Sequence, residues 1–174
     1  MPPIRLENAY YIITPTALTP KEEISEFRDF VLSLGAIPLI LDYKIHDYST
    51  AAISHLPHMI AYSLVNLVHQ IDDDKETMKT IAAGGFKDIT RIASSSPVMW
   101  QNICASNREP LLSLMDQYLA LLTKLRGYID SSNEQALLSF FQQAKDYRDS
   151  ITLPSVKSPT VYYECFVDLV DETG

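Results

Sequence analysis

HDYSTAAISHLPHMIAYSLVNLVHQIDDDKETMKTIAAGGFKDITRIASSSPVMW, residues 46–100, is the stretch from which the fold is read. It holds three dense polar groups. They are His46-Asp47, Ser54-His55-Leu56-Pro57-His58, and Gly84-Gly85-Phe86-Lys87-Asp88-Ile89-Thr90-Arg91. Between them Ala51, Ala52, Leu56, Met59, Ile60, Leu64, Leu67 and Val68 recur at three- and four-residue steps, the period of a helix with one apolar face. Pro57 lies inside that period and predicts a kink or a helix start nearby. Three of the chain's four histidines fall in the first two groups. Polar clusters on a helical scaffold predict a small-molecule site.

Upstream the pattern is different. Ala9–Thr14 is a short aromatic and β-branched run ended by Pro15, which reads as a buried strand. Thr19-Pro20-Lys21-Glu22 predicts a helix start, with Thr19 as N-cap, Pro20 at the first helical position and Glu22 closing a capping box. Ile24, Phe27, Val31 and Leu34 give that helix an apolar face, and Gly35 ends it. Ile37–Leu41 is a second strand. The crossover length suits a parallel β-α-β unit. One such unit cannot cover both faces of a sheet, so residues 1–42 read as the tail of a larger α/β domain. No glycine-rich phosphate loop is present.

Downstream, Asp72-Asp73-Asp74 reads as a solvated turn before a short helix over 75–82, and Gly84-Gly85 as a break. Ser96-Pro97 predicts a helix N-terminus ahead of Trp100. Leu111, Leu112, Met115, Leu119, Leu122 and Leu125 mark a long amphipathic helix reaching Gly127 or beyond. Ser132-Asn133-Glu134-Gln135 reads as a capping box for a helix ending near Ser150. Leu153–Pro159 reads as a linker and Val161–Leu169 as a strand. The fold class is therefore mainly α, with β-α-β before the helices and a single strand after them.

Composition narrows the function. A hydrophobic fraction of 47% suits a chain with a core, and a formal charge of -8 argues against nucleic acid, which needs clustered Lys and Arg. Cys104 and Cys165 match no zinc or redox spacing and read as free thiols of a reducing compartment. No uninterrupted apolar run reaches membrane-span length, and the N-terminus lacks a signal peptide's layout. The expectation is a cytoplasmic protein with no membrane partner.

His55 and His58 are three apart and share a helical face. Three readings stand beside one another. With His46 or Asp47 they could ligate a metal, although the zinc-hydrolase spacing is absent. They could be satisfied polar residues between two helices. They could hold the hydroxyl and carboxylate oxygens of an organic anion, which is the favoured reading. Arg91 supports it, because an arginine in the apolar run Phe86, Ile89, Ile92, Ala93 needs a partner. Asp88 would make that partner structural, and a ligand carboxylate, which fits the guanidinium fork, would make it functional. Trp100 reads first as core, and His69 as a solvated helix end.

Taken together, His46-Asp47, Ser54-His55-Leu56-Pro57-His58, Gly84–Ala93 and Pro97-Val98-Met99-Trp100 resemble the prephenate dehydrogenases of tyrosine biosynthesis, over about Tyr10 to Ser150. The resemblance implies a helical dimerisation and substrate domain over 43–150, preceded by a remnant of a Rossmann-type cofactor domain. Residues 151–174 would be a linker and the opening of an ACT domain. It implies a homodimer, the substrate prephenate, and NAD or NADP bound by a domain outside this chain. The family reaction is oxidative decarboxylation: the ring C4 gives a hydride to the nicotinamide, the 4-hydroxyl loses a proton, and carbon dioxide leaves to give 4-hydroxyphenylpyruvate. Carried over by position, Arg91 binds a substrate carboxylate. Ser54, His55 and His58 recognise side-chain or ring oxygens, and His46 and Asp47 hold the hydrogen-bond network. Gly84 allows close backbone approach, and Trp100 walls the site. The family's proton-accepting histidine has no counterpart here, so no catalytic residue is assigned, and the resemblance implies a chain inactive alone. Arogenate is the alternative substrate. A dimerisation or regulatory module without chemistry is the alternative of another class.

Overall fold

The structure, a computed structural model, describes residues 6–151. Tyr10–Ile13 (β1) and Ile37–Ile40 (β2) form a two-stranded parallel sheet, with Tyr10 opposite Ile37 and Ile12 opposite Leu39. The crossover helix Lys21–Ser33 (α1) packs on β2 and buries Val31 completely. Gly35 then turns the chain at φ 77°, a left-handed conformation that favours glycine. The reading of the first strand as buried does not hold: Tyr11 and Ile13 are only half-buried. Side chains alternate along a strand, and Tyr10, Ile12, Ile37 and Leu39, which share the other face, are all exposed.

Thr19 does not cap α1. Its Oγ1 accepts instead from the Thr16 N–H at 3.1 Å, inside the preceding turn, and Pro20 flanks the helix with no side-chain cap. The local Thr-to-Thr turn competes for the same oxygen and takes it.

Tyr43–Thr50 (α2), a π-helical turn over Ala51–His55, and Leu56–Ile71 (α3) run on as one helix of 29 residues. Asp42 caps it by accepting from the Lys44 N–H at 2.9 Å. The kink expected at Pro57 takes the form of this wide turn. Pro57 sits in the first turn of α3, where its missing N–H costs least, and the extra residue is absorbed just before it. By length and composition the joined helix is apolar enough to cross a membrane, contrary to the expectation that no run is. Dividing the pattern at Pro57 and its polar groups hid that length. In this fold the helix packs against other helices, and Ala51 and Ala61 are buried almost completely.

Two of the three aspartates do more than solvate a turn. Asp72 accepts from the N–H groups of Met78 and Lys79, and Asp73 from those of Lys75 and Thr77. They satisfy the open N-terminus of Thr77–Ile81 (α4). Gly84 and Gly85 open Gly84–Thr90 (α5) rather than break the chain. A 3-10 turn, Arg91–Ser94, leads to Pro97–Ser106 (α6), which Ser96 caps as expected by accepting from the Met99 N–H. Arg108–Asp130 (α7) carries Gly127 in its interior. Glu134–Ser150 (α8) is capped by Asn133, whose Oδ1 accepts from the Ala136 N–H at 3.0 Å. Ser132, the expected cap, sits one residue too early, at φ 49°.

On α7, Leu111 and Leu114 are buried while Leu112, Leu119, Leu122 and Ile129 are exposed. Steps of seven, three and seven put the exposed four on one stripe. The expected linker Leu153–Pro159 and strand Val161–Leu169 lie outside the described residues.

Candidate functional site

His55, His58 and Tyr62 stand at steps of three and four along the same helix, so they line one face. Trp100, in the first turn of α6, fills that face. Its ring stacks on His58 at a centroid distance of 3.9 Å and 28°, and meets His55 and Tyr62 edge-on at 6.0 and 6.4 Å. The Tyr62 hydroxyl donates to the Ser95 carbonyl at 2.8 Å and ties α3 to the segment that launches α6. Trp100 is 6% exposed, and among the described residues its indole Nε1 has no hydrogen-bond partner. Trp100 is core, as its first reading has it, and it is buried against the two histidines.

Each imidazole is held by a different kind of partner. His58 Nδ1 lies 2.8 Å from the backbone carbonyl of Ser54 and must donate to it, so Ser54 enters through its main chain. His55 Nδ1 lies 3.3 Å from the side-chain nitrogen of Asn107, which also donates to the Asp47 carbonyl at 2.8 Å. His46 Nδ1 meets the Asp47 carboxylate at 3.0 Å, and Thr50 Oγ1 lies 3.4 Å from His46 Nε2. His46, Asp47, Thr50, His55 and Asn107 thus line a cleft of about 300 Å³. A wider cleft of about 770 Å³, between α2 and the start of α7, shares Asp47 and Asn107 with it.

Burial lowers the His55 pKa from its ordinary value, and the neighbouring His58 lowers it further. The Asp47 carboxylate opposes the shift, and His46 adds a smaller push downward. The shift favours the neutral ring.

The third polar group is placed differently. Arg91 is exposed on the 3-10 turn that packs against α3, so the premise that it is buried in an apolar run does not hold. Of the apolar neighbours, Phe86, Ile92 and Ala93 are half-buried, while Ile89 is exposed like Arg91. Among the described residues it forms no ion pair, with Asp88 or any other carboxylate, and its fork is free. Gly84 is exposed, and a Cβ built there meets nothing within 4 Å, so no close approach within this chain requires glycine. No hydrogen bond joins Arg91 or Gly84 to the imidazole cluster among the described residues. Tyr62 and Asn107 were not anticipated. Tyr62 was accessible through the helical period, four residues after His58. Asn107 lies 52 residues from His55 and had no local signal.

The family described as prephenate dehydrogenase, dimerization domain, matches residues 42–143, a span that opens at the Asp42 cap and encloses every residue of the cluster. The chain belongs to this family. Prephenate dehydrogenase of Bacillus subtilis (strain 168) is 37% identical over 168 residues, which are 97% of this chain and 45% of that protein. The chain thus spans about half the length of the curated relatives it matches. Two solved structures have a TM-score of 0.78. Prephenate dehydrogenase from A. aeolicus, solved with hydroxyphenyl propionate and NAD+, is 29% identical over 84% of this chain and 51% of that one. Synechocystis arogenate dehydrogenase is 28% identical over 82% of this chain and 52% of that one. The architecture is mainly helical after a short β-α-β unit, as the residues predict.

Proposed function

We propose that this chain supplies the substrate-binding and dimerising half of a prephenate dehydrogenase, an NAD(P)-dependent homodimer of the cytoplasm that oxidatively decarboxylates prephenate. The observation that carries the reading is the coincidence of the family match, residues 42–143, with the packed group of His55, His58, Tyr62 and Trp100. An aromatic wall beside two imidazoles suits a cyclohexadienyl ring bearing oxygens. Arg91, exposed and without a protein partner among the described residues, suits a substrate carboxylate, and Gly84 leaves open space at the start of α5. His46 and Asp47 brace the network through the Asp47 carbonyl and Asn107. The exposed stripe Leu112, Leu119, Leu122 and Ile129 on α7 suits a second copy.

The β-α-β unit itself does not fit the dinucleotide. β1 leads through Ile13-Thr14-Pro15, with no glycine-rich turn, and the first turn of α1 carries Glu22 and Glu23, which repel a pyrophosphate. The residues of this chain bind and orient substrate. The cofactor and the proton acceptor belong to another part of the enzyme.

Arogenate is the second reading, favoured by the likeness to the Synechocystis enzyme. It carries an amine where prephenate carries a keto oxygen. Nicotinamide reduction by the complete enzyme, measured with each substrate and with NAD+ and NADP+, tests the proposal. Turnover of prephenate supports it, a strong preference for arogenate moves the assignment to the second reading, and turnover of neither overturns both.

A further inference from the structure

Asn107 stands where it would ordinarily serve its own helix. It flanks the start of α7, a position at which an asparagine side chain accepts a backbone N–H and stabilises the helix. It makes no such cap. Its amide reaches back to α2 and the π-helical turn, to the Asp47 carbonyl at 2.8 Å and to His55 Nδ1 at 3.3 Å. A favourable local use of the side chain has been given up for this contact.

The contact has only one consistent proton assignment. A backbone carbonyl only accepts, so the Asn107 atom facing it is the amide nitrogen, and the opposite flip would set two oxygens together. That nitrogen brings hydrogens and no lone pair. His55 Nδ1 must therefore accept, and the His55 proton sits on Nε2. His58 is in the reverse state: the Ser54 carbonyl holds a proton on Nδ1 whether the ring is charged or neutral, and the neutral ring keeps its lone pair on Nε2. Neither Nε2 has a hydrogen-bond partner among the described residues. The same Trp100 ring packs against both imidazoles.

We propose that Asn107 is a positioning residue that locks His55 in the Nε2–H tautomer, opposite to His58, so that the two rings offer one donor and one acceptor to a ligand hydroxyl or carboxyl group. The inference rests on reading the cluster as the substrate pocket. With both rings in one tautomer the pair would present two donors or two acceptors, and a hydroxyl could satisfy both only by losing its double role. The groups that face His55 are His46, Asp47, His58 and Asn107, and Asn107 is the one among them whose side chain cannot ionise.

Histidine-selective nitrogen-15 spectra of the complete enzyme test the lock without any variant. The expected result is His55 with an unprotonated Nδ1 and a protonated Nε2, and neutral His58 with the reverse. Both rings in the same tautomer overturn the proposal. Asn107→Asp removes the donor and sets a carboxylate oxygen against the Asp47 carbonyl, so the side chain turns away or accepts a hydrogen bond from His55 Nδ1; either way the His55 proton is no longer confined to Nε2. The variant should also lower kcat/KM for prephenate on the order of tenfold, the loss of one well-placed hydrogen bond, mostly through KM. Asn107→Ala should free the tautomer and cost less. An unmoved His55 proton in Asn107→Asp overturns the lock. His55→Ala separates the two levels of the argument. If it impairs turnover while Asn107→Asp does not, the lock fails and the pocket stands; if neither impairs turnover, the pocket reading fails as well.

Discussion

Replacing Trp100 by alanine and by phenylalanine should have very unequal consequences for stability. Trp100 is the chain's single tryptophan and one of its most buried large side chains. An aromatic side chain of this kind buries about 150–250 Å², which at about 25 cal/mol per Å² is about 4–6 kcal/mol of transfer free energy. Large-to-small aromatic truncations cost about 3–5 kcal/mol. Trp100→Ala also removes the ring on which His58 stacks, so a loss of about 4 kcal/mol is expected. Trp100→Phe keeps a ring against His58 and removes the indole N–H, which has no partner. An unsatisfied buried donor costs about 1–3 kcal/mol, which offsets the apolar area lost with the smaller ring. The net change should be within about 1 kcal/mol of zero. Guanidinium unfolding of this chain, followed by far-ultraviolet circular dichroism, measures both. If Trp100→Phe proves as destabilising as Trp100→Ala, the indole N–H is bonded and the packing described for this face is wrong.

Other consequences are smaller. Gly35→Ala places a Cβ at φ 77° but only 3.5 Å from Glu7, an ordinary contact, so backbone strain alone should cost about 1 kcal/mol and lower Tm. Because the folded-state pKa of His55 lies below its ordinary 6.5, the unfolded chain binds more protons below neutrality. Stability should therefore fall as pH drops from about 7 and be unaffected by this group above it. His55→Gln should flatten that part of the slope in urea midpoints, and an unchanged slope would reject it. Charging the exposed stripe with Leu119→Glu and Leu122→Glu should turn a dimer into a monomer by sedimentation velocity while helix content is kept; a dimer that persists would place the interface elsewhere.

The sequence was most legible where a local rule acts alone. The 3.6-residue period over 51–68 marked the apolar face of α3, Gly35 the stop of α1, and Ser96-Pro97 the start of α6. Errors arose where two local rules compete for one group. Thr19 looked like a cap but bonds Thr16, and Ser132 yielded the cap to Asn133. Burial was misjudged wherever a periodic apolar face has no partner within the chain, as on the open side of β1. Of the candidate site, His55 and His58 share a helical face as their spacing predicts, and Trp100 packs against both. Arg91 is exposed because it lies on a short surface helix and 3-10 turn where even Ile89 is open to solvent, which a count of apolar neighbours cannot register. Asn107 was beyond reach, because its role depends on two contacts across more than fifty residues.

The central claim is that these residues recognise substrate and leave the cofactor to another part of the enzyme. Steady-state kinetics of Arg91→Ala in the complete enzyme address it most directly. The account predicts a loss of kcat/KM for prephenate of about 1.5–3 kcal/mol, or roughly ten- to 150-fold, carried by KM. The KM for the nicotinamide cofactor and the helix content should stay at wild-type values. Unchanged prephenate kinetics, or a weakened affinity for the cofactor instead, would contradict it.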